Sequence, residues 1–284
     1  MRVLVLGATG MLGNAMIRIL SENADWDVFG TVRSGSAGRF YSRRISEKLL
    51  AGIDVENHDS LVSVFNRIRP DVVINCIGLI KQLADANDPL LALSVNSLLP
   101  HRIARLCGLA GARFVHISTD CVFSGEKGNY RETDPSDAED LYGKSKFLGE
   151  VDYPHAITLR TSIIGHELQS ANGLLGWFLN QEAQCNGYVN AIFTGLPTVT
   201  LAQIVRNVVI PHPDLSGVYH VAAQPISKHD LLKLIADIYG KSIEVVPDDK
   251  LVIDRSLSAG RFQEATGYLA PSWPELIKSM YAYK

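Results

Sequence analysis

Apolar residues along this chain fall into two alternating rhythms. Short unbroken runs, such as Arg2-Val3-Leu4-Val5-Leu6, have the pattern of strands buried on both faces of a parallel sheet. After this first run come Gly7, Gly10 and Gly13, and then Ala15-Met16-Ile17-Arg18-Ile19-Leu20, which reads as a helix. Further runs at 26–32, 52–55, 71–78, 113–117 and 156–161 predict strands. Helices are predicted over 58–69, stopped by Pro70, and over 89–109. Strand and helix in regular alternation predict an α/β fold built on a doubly wound parallel sheet.

Beyond His166 the alternation weakens. Residues 173–184 read as a helix, 198–200 as a strand entering a helix over 201–210, and 217–222 as a late strand. Ser227 suits the cap of a helix reaching Tyr239, with Lys228, His229 and Asp230 in its first turn. We therefore expect a strand-helix domain over 1–165 and a smaller, less regular region over 166–284. Part of the latter, about 190–222, is expected to cross back to the main sheet. There is no internal repeat and no low-complexity tract.

Composition narrows the function classes. Among 284 residues, 46% are hydrophobic and 20% charged, the balance of an ordinary globular protein with ample core. The net charge is -3 and no basic tract stands out, so neither nucleic acid nor a membrane is an expected partner. The cysteines Cys76, Cys107, Cys121 and Cys185 have neither C-x-x-C spacing nor a histidine cluster beside them. No metal site is expected, and a reducing, cytoplasmic setting fits best. The first strand begins at Arg2, which leaves no room for a signal peptide, and no apolar run approaches the ~20 residues of a membrane span.

Two motifs carry chemistry. A strand, a glycine turn and a helix form the Rossmann-like context in which glycines let the backbone approach a pyrophosphate at a helix N-terminus. Gly7, Thr9, Gly10, Met11, Leu12 and Gly13 are the candidate contacts. At the end of the second strand the chain reads Thr31-Val32-Arg33-Ser34, with Arg39, Arg43 and Arg44 soon after. A basic residue there accommodates a 2'-phosphate, so NADP(H) is predicted in preference to NAD(H), with Arg33 as the contact and a solvated loop arginine as the alternative. The second motif is Tyr142-Gly143-Lys144-Ser145-Lys146. Four residues on a helix is about one turn, so Tyr142 and Lys146 share a face. A neighbouring ammonium favours the phenolate, and such a pair can exchange a proton with an alcohol or sugar oxygen.

Together these motifs resemble the extended short-chain dehydrogenase/reductase superfamily, with its glycine turn and its Ser/Thr, Tyr, Lys triad. The closer resemblance is to the dTDP-4-dehydrorhamnose reductase family. It rests on Ile117-Ser118-Thr119-Asp120, Val122-Phe123, the Tyr142 motif, Gly149-Glu150 and Leu159-Arg160-Thr161-Ser162, and it is weakest after about Gly240. The resemblance implies NADPH-dependent reduction of the C4 ketone of a nucleotide-linked 4-keto-6-deoxy sugar, in a pathway supplying surface polysaccharide. A homodimer is left open.

By the same resemblance Thr119, Tyr142 and Lys146 are the catalytic residues. Thr119 is preferred over Ser118 because Val122-Phe123 aligns with the pair that follows the catalytic Ser/Thr in related epimerases, and because a strand turns only one of two neighbours toward the cofactor. The superfamily places an acid against the adenine, which points to Asp54 and Val55. It passes a small-residue strand end beneath the cofactor, here Cys76, Ile77 and Gly78, and uses a helical asparagine, here Asn96, to hold the site. Residues 161–165 resemble the segment that meets the nicotinamide amide. Residues 123–141, rich in Gly, Asp, Glu and Pro, read as a loop over the site. Lys81 reads as an exposed loop lysine, with a diphosphate contact as the alternative.

Substrate contacts are expected from Ser118, Asp120, Cys121 and Arg255. Arg255 lies in a segment similar to a C-terminal family motif but without the usual proline after the arginine. Cys121 stands where 4,6-dehydratases carry the glutamate of their acidic pair, which argues against elimination chemistry, and where the reductases usually carry tyrosine. It coincides with the cysteine that GDP-fucose synthase uses with a histidine, and His166 falls near that histidine. An epimerase or epimerase-reductase using Cys121 and His166 is thus one alternative, and a non-catalytic NADP-binding regulatory subunit is another.

Overall fold

The computed structural model describes residues 1–80 and 87–283. The expected Lys81 position lies outside the described residues. The first strand, β1 (Arg2–Leu6), alternates its side chains between two cores: Val3 and Val5 face one, Leu4 and Leu6 the other. That two-sided burial makes the apolar run unbroken, as in a sheet covered on both faces.

The strands that follow are β2 (Asp27–Val32), β3 (Leu49–Ala51), β4 (Val72–Asn75), β5 (Arg113–Thr119) and β6 (Ala156–Thr161). After the short β7 (Ile163–Ile164), β8 (Gln184–Tyr188), β9 (Ala191–Phe193) and β10 (Leu196–Pro197), the chain returns at β11 (Gly217–His220). The central sheet runs β11-β6-β5-β4-β1-β2-β3, and every pairing in it is parallel. It is thus a doubly wound α/β sheet whose order reverses at β1.

The helices are α1 (Met11–Ser21), α2 (Arg43–Ser46), α3 (His58–Ile68), α4 (Pro89–Ala92), α5 (Leu99–Ala110), α6 (Leu141–Leu148), α7 (Leu174–Leu179), α8 (Thr198–Ile204), α9 (Lys228–Tyr239), α10 (Gly260–Thr266) and α11 (Trp273–Ala282). Those of α3 and α5 bury apolar side chains in one core, and those of α1, α8, α9 and α11 in the other. Local signals set the ends. Asn57 accepts from the Asp59 and Ser60 amides to start α3, and Arg69 ends it in the left-handed region before Pro70. Ser227 caps α9 through the Asp230 amide, and Gly240 ends it at φ 65°. Three further strands, β12 (Ile226–Ser227), β13 (Glu244–Asp248) and β14 (Ile253–Asp254), pair with β9 and β8 to form the small sheets of the C-terminal lobe.

Three elements differ from the sequence reading. The third strand ends at Ala51, because Gly52 takes φ +75° and turns the chain out of the sheet, so Asp54 and Val55 lie in the loop beyond it. The helix expected over 173–184 stops at Leu179, and Ala183 at φ 52° redirects the chain into β8. The strand expected at 198–200 lies earlier in the chain: Leu196–Pro197 makes the pairing, and Thr198 already belongs to α8.

Candidate active site

The carboxyl ends of β1, β2, β4, β5 and β6 form one edge of the sheet, the edge at which open α/β sheets bind their ligands. At the end of β1, Gly7 takes φ +80°, a region that side chains rarely adopt. A methyl group on Gly13 would strike the Gly7 carbonyl, so the turn and the start of α1 lie in direct contact. Gly10 enters α1 in an extended conformation, and no side chain caps that helix. The first amides of α1 are therefore left to an anion. Thr9 and Met11 are half-buried, Gly10 is exposed and Leu12 is buried, which puts backbone rather than bulk at the rim. These features fit the pyrophosphate of a dinucleotide.

Around this cradle stand the other expected cofactor contacts. Arg33 is exposed at the end of β2, followed by Ser34, whose hydroxyl accepts from the Ser36 amide. Arg43 is committed to Glu47 and Arg39 lies over Phe40, so Arg33 is the cation of this group nearest the strand end. Asp54 is exposed and accepts from the Glu56 amide. Cys76 and Ile77 are half-buried at the end of β4, and a side chain on Gly7 would run into Ile77. A Cβ on Gly78 would lie 3.4 Å from Asn96 Oδ1 and 3.7 Å from Lys146 Nζ, so Gly78 opens the space in front of that ammonium.

Asn96 is buried in a π-helical stretch, Leu93–Leu98, between α4 and α5. Its Oδ1 accepts from the Leu79 amide at 2.9 Å and its Nδ2 donates to Ser145 Oγ at 3.2 Å. It thereby ties the loop after β4 to the helix that carries Tyr142 and Lys146. A π-bulge at such a place is common near functional sites.

β5 delivers Ser118 and Thr119, and strand alternation sends them to different partners. Ser118, expected to meet the substrate, donates its Oγ to Glu150 Oε1 at 2.7 Å. Thr119 Oγ1 accepts from the Cys121 amide at 3.1 Å and is hydrogen-bonded to Tyr142. Asp140 caps α6 through the Gly143 amide, and a side chain at Gly143 would strike the Cys121 carbonyl, which sets the helix against the end of β5.

Lys146 is 5% exposed and donates to the Ile117 carbonyl at 2.8 Å. Burial lowers its pKa from 10.5 to about 8, against the opposing pull of Glu150 and Cys76. Tyr142 is shifted upward: burial raises the phenol above its ordinary 10, Cys121 and Asp120 add to this, and the Thr119 bond opposes it. The expected downward shift of Tyr142 is thus not seen: the largest influence on the phenol is burial, which raises it, and the Lys146 ammonium donates to a backbone carbonyl.

Beyond the end of β5, Asp120, Cys121 and Arg255, which are expected to meet the substrate, form a cluster. Arg255 donates Nε to the Phe123 carbonyl at 2.7 Å and points Nη1 at Cys121 Sγ, 3.9 Å away. Burial raises the pKa of Asp120, opposed by Arg255 and by Lys228 at the start of α9. Burial and then Asp120 push the Cys121 thiol up to about 12. His166 sits apart from this chemistry in its contacts: its Nε2 is 2.9 Å from the Tyr239 hydroxyl, and the rings stack. Among the described residues no group of three or more His, Cys, Asp or Glu is arranged to hold a metal, and no helix is long and apolar enough to cross a membrane.

Two features were not among the expected site residues. Lys228 faces Asp120 from the C-terminal lobe; only its place in the first turn of α9 was legible in the sequence. The second is a buried ion pair in which Arg160 grips Glu150, with Nε to Oε1 at 2.8 Å and Nη2 to Oε2 at 2.6 Å. Both residues lie in segments that carry the family resemblance, but their pairing needs the fold.

The chain is similar to several known proteins over most of its length. A dTDP-4-dehydrorhamnose reductase of Aggregatibacter actinomycetemcomitans is 26% identical, with 99% of each chain covered. Methionine adenosyltransferase 2 subunit beta of Danio rerio is 28% identical over 84% of this chain and 74% of its own length. In fold, the chain is similar to the crystal structure of dTDP-4-dehydrorhamnose reductase from Bacillus anthracis in complex with NADP, with TM-score 0.79, 20% identity, and 100% and 99% of the two chains covered. The model of the RmlD substrate binding domain matches residues 1–266, through the glycine turn, the Tyr142 helix and Arg255, and the chain belongs to that family.

Proposed function

We propose that this protein reduces the C4 ketone of a nucleotide-linked 4-keto-6-deoxy sugar, with NADP(H) preferred and NAD(H) accepted as the weaker alternative. The observation that carries the reading is the convergence of Thr119, Tyr142 and Lys146 beside an uncapped helix N-terminus and a glycine turn too tight for side chains. What NADPH supplies when bound is the hydride; the protein supplies position and field. Gly7, Thr9, Gly10, Met11, Leu12 and Gly13 would hold the pyrophosphate, Arg33 the 2'-phosphate, Asp54 and Val55 the adenosine end, and Cys76, Ile77 and Gly78 the floor beneath the nicotinamide half.

In this reading Thr119 holds the carbonyl oxygen and Tyr142 delivers a proton to the developing alkoxide. A phenol raised by burial suits that task, because it keeps its proton at neutral pH until a stronger base appears. Lys146 remains an ammonium below about pH 8, and Gly78 gives it access to the cofactor ribose. Asp120, Cys121, Arg255 and Lys228 form the polar wall that meets the substrate, with residues 166–284 as the substrate half. A cytoplasmic location accords with reliance on this soluble cofactor.

The test is NADPH oxidation by the purified protein against dTDP-, UDP- and GDP-linked 4-keto-6-deoxy sugars, with NADH in parallel. Turnover on one member supports the reading and selects the nucleotide. Silence across the panel with NADPH bound favours a binding subunit, the reading to which the Danio rerio relative lends weight. An epimerase working through Cys121 and His166 has less support, since the thiol is pushed up to about 12 and His166 is engaged with Tyr239. Solvent deuterium at C3 or C5 of the product would revive it.

A further inference from the structure

We infer that Tyr41 is a positioning residue for the glycine turn: its hydroxyl holds the Ala8 carbonyl and thereby aims the Thr9 amide at the cofactor pyrophosphate, a step that rests on reading this turn as the NADP(H) site. Tyr41 Oη lies 2.7 Å from the Ala8 carbonyl oxygen. A carbonyl can only accept, so the phenol is the donor. Burial pushes Tyr41 up to about 12, against the pull of Arg18, so the phenol carries its proton at neutral pH. The ring itself is half-buried and packs against the core into which α1 buries its apolar face.

The rest of the turn is fixed from the sheet and from within. The Gly7 amide donates to Thr31 Oγ1 at 3.0 Å and the Ala8 amide to the Thr31 carbonyl at 3.0 Å, so one residue of β2 takes both. The Gly10 amide donates to the Gly7 carbonyl at 3.1 Å, and the Asn14 amide to the Gly10 carbonyl at 2.8 Å. Between these anchors lies the peptide joining Ala8 to Thr9. Its carbonyl is taken by Tyr41, and its amide, on Thr9, has no hydrogen-bond partner among the described residues. The peptide is trans, so its C=O and N–H point in opposite directions. Pinning the carbonyl to Tyr41 therefore fixes where the Thr9 N–H points, which is away from the phenol. Two residues later α1 begins at Met11 with no side-chain cap, and the Thr9 amide adds one directed donor to those of that helix start.

Tyr41 reaches the turn from a stretch that leaves the sheet at Arg33. Ser34 accepts from the Ser36 amide, Ala37 is buried, and the Tyr41 amide donates to the Gly38 carbonyl at 3.1 Å, closing a 3-10 turn over Gly35–Phe40. A hydroxyl that served only to steady Arg33 would matter for the 2'-phosphate alone. One that sets the Ala8 peptide matters for the pyrophosphate, which NADPH and NADH share.

The test compares wild type with Tyr41→Phe, which keeps the ring and removes only the donor, by fluorescence titration with NADPH and with NADH and by urea unfolding. Both dissociation constants should rise by the same factor, about fivefold, the size of one hydrogen bond. In 15N-threonine-labelled protein the Thr9 amide resonance, assigned by its loss in Thr9→Ser, should move when NADPH is added to the wild type and move less in Tyr41→Phe. A lower urea midpoint with both dissociation constants unchanged would leave Tyr41 a merely structural role and overturn the inference. So would weakening confined to NADPH, or a wild-type Thr9 amide that ignores bound NADPH. Wild type that binds neither dinucleotide would take down the cofactor reading together with this one, whereas the other three outcomes leave that reading standing.

Discussion

A buried ammonium costs stability, and Lys146 lets that cost be read directly. Its pKa falls from 10.5 in an exposed lysine to about 8 in the folded protein. At 1.36 kcal/mol per pH unit, the charged side chain destabilises the fold by roughly 3 kcal/mol at pH 7. The sign follows from proton counting. Between about pH 8 and 10.5 the unfolded chain holds more protons than the native one, so this contribution to stability improves as pH rises, and below pH 8 the full penalty is present. Lys146→Met removes the penalty at every pH. It also removes the hydrogen bond to the Ile117 carbonyl, which offsets about 1 kcal/mol of the gain. The variant should therefore be more stable than the wild type by roughly 2 kcal/mol at pH 7 while losing turnover, and by pH 9.5 the advantage should shrink below about 1 kcal/mol. Urea unfolding of both proteins from pH 6.5 to 9.5 measures this. Taking the difference between them cancels the tyrosine and cysteine titrations they share. A difference that is flat across that range would refute the reasoning, whatever its size.

Tyr142→Phe keeps the ring and removes the proton donor, so kcat should fall by about 10²–10⁴ with NADPH affinity little changed; a smaller loss in the panel assay would remove Tyr142 from the proton transfer. Gly13→Ala sets a methyl against the Gly7 carbonyl and should abolish NADPH binding in a fluorescence titration, and retained affinity would contradict the cradle. Arg33→Ala should narrow the preference for NADPH over NADH, and an unchanged ratio of the two kcat/KM values would move the 2'-phosphate contact elsewhere. Arg160→Met leaves the Glu150 carboxylate buried without its partner and should cost about 3–5 kcal/mol in urea unfolding, most of it recovered when Glu150 is also changed to Met.

Patterns within one contiguous stretch were legible from the sequence. The run Arg2 to Leu6, the three glycines and the helix after them specify the nucleotide cradle, because strand burial, tight turn and helix start are each decided by neighbours within a few residues. The same holds for Tyr142 and Lys146, whose shared face follows from helical spacing, and for the Ser227 cap. Alternation along β5 required that Ser118 and Thr119 part ways, and they do take different partners, Glu150 and the Cys121 amide. Only the tertiary structure decided the rest. It brought Glu150, Arg160 and His220 together from the turn after α6, from β6 and from β11, and set Lys228 from the far lobe against Asp120, contacts between residues distant in the chain. It also ended β3 at a glycine whose φ no local pattern announces. Most of all it set the sign of the Tyr142 shift. Helical spacing places Tyr142 and Lys146 one turn apart, but the shift of the phenol is set first by burial, which the elements packed around α6 decide.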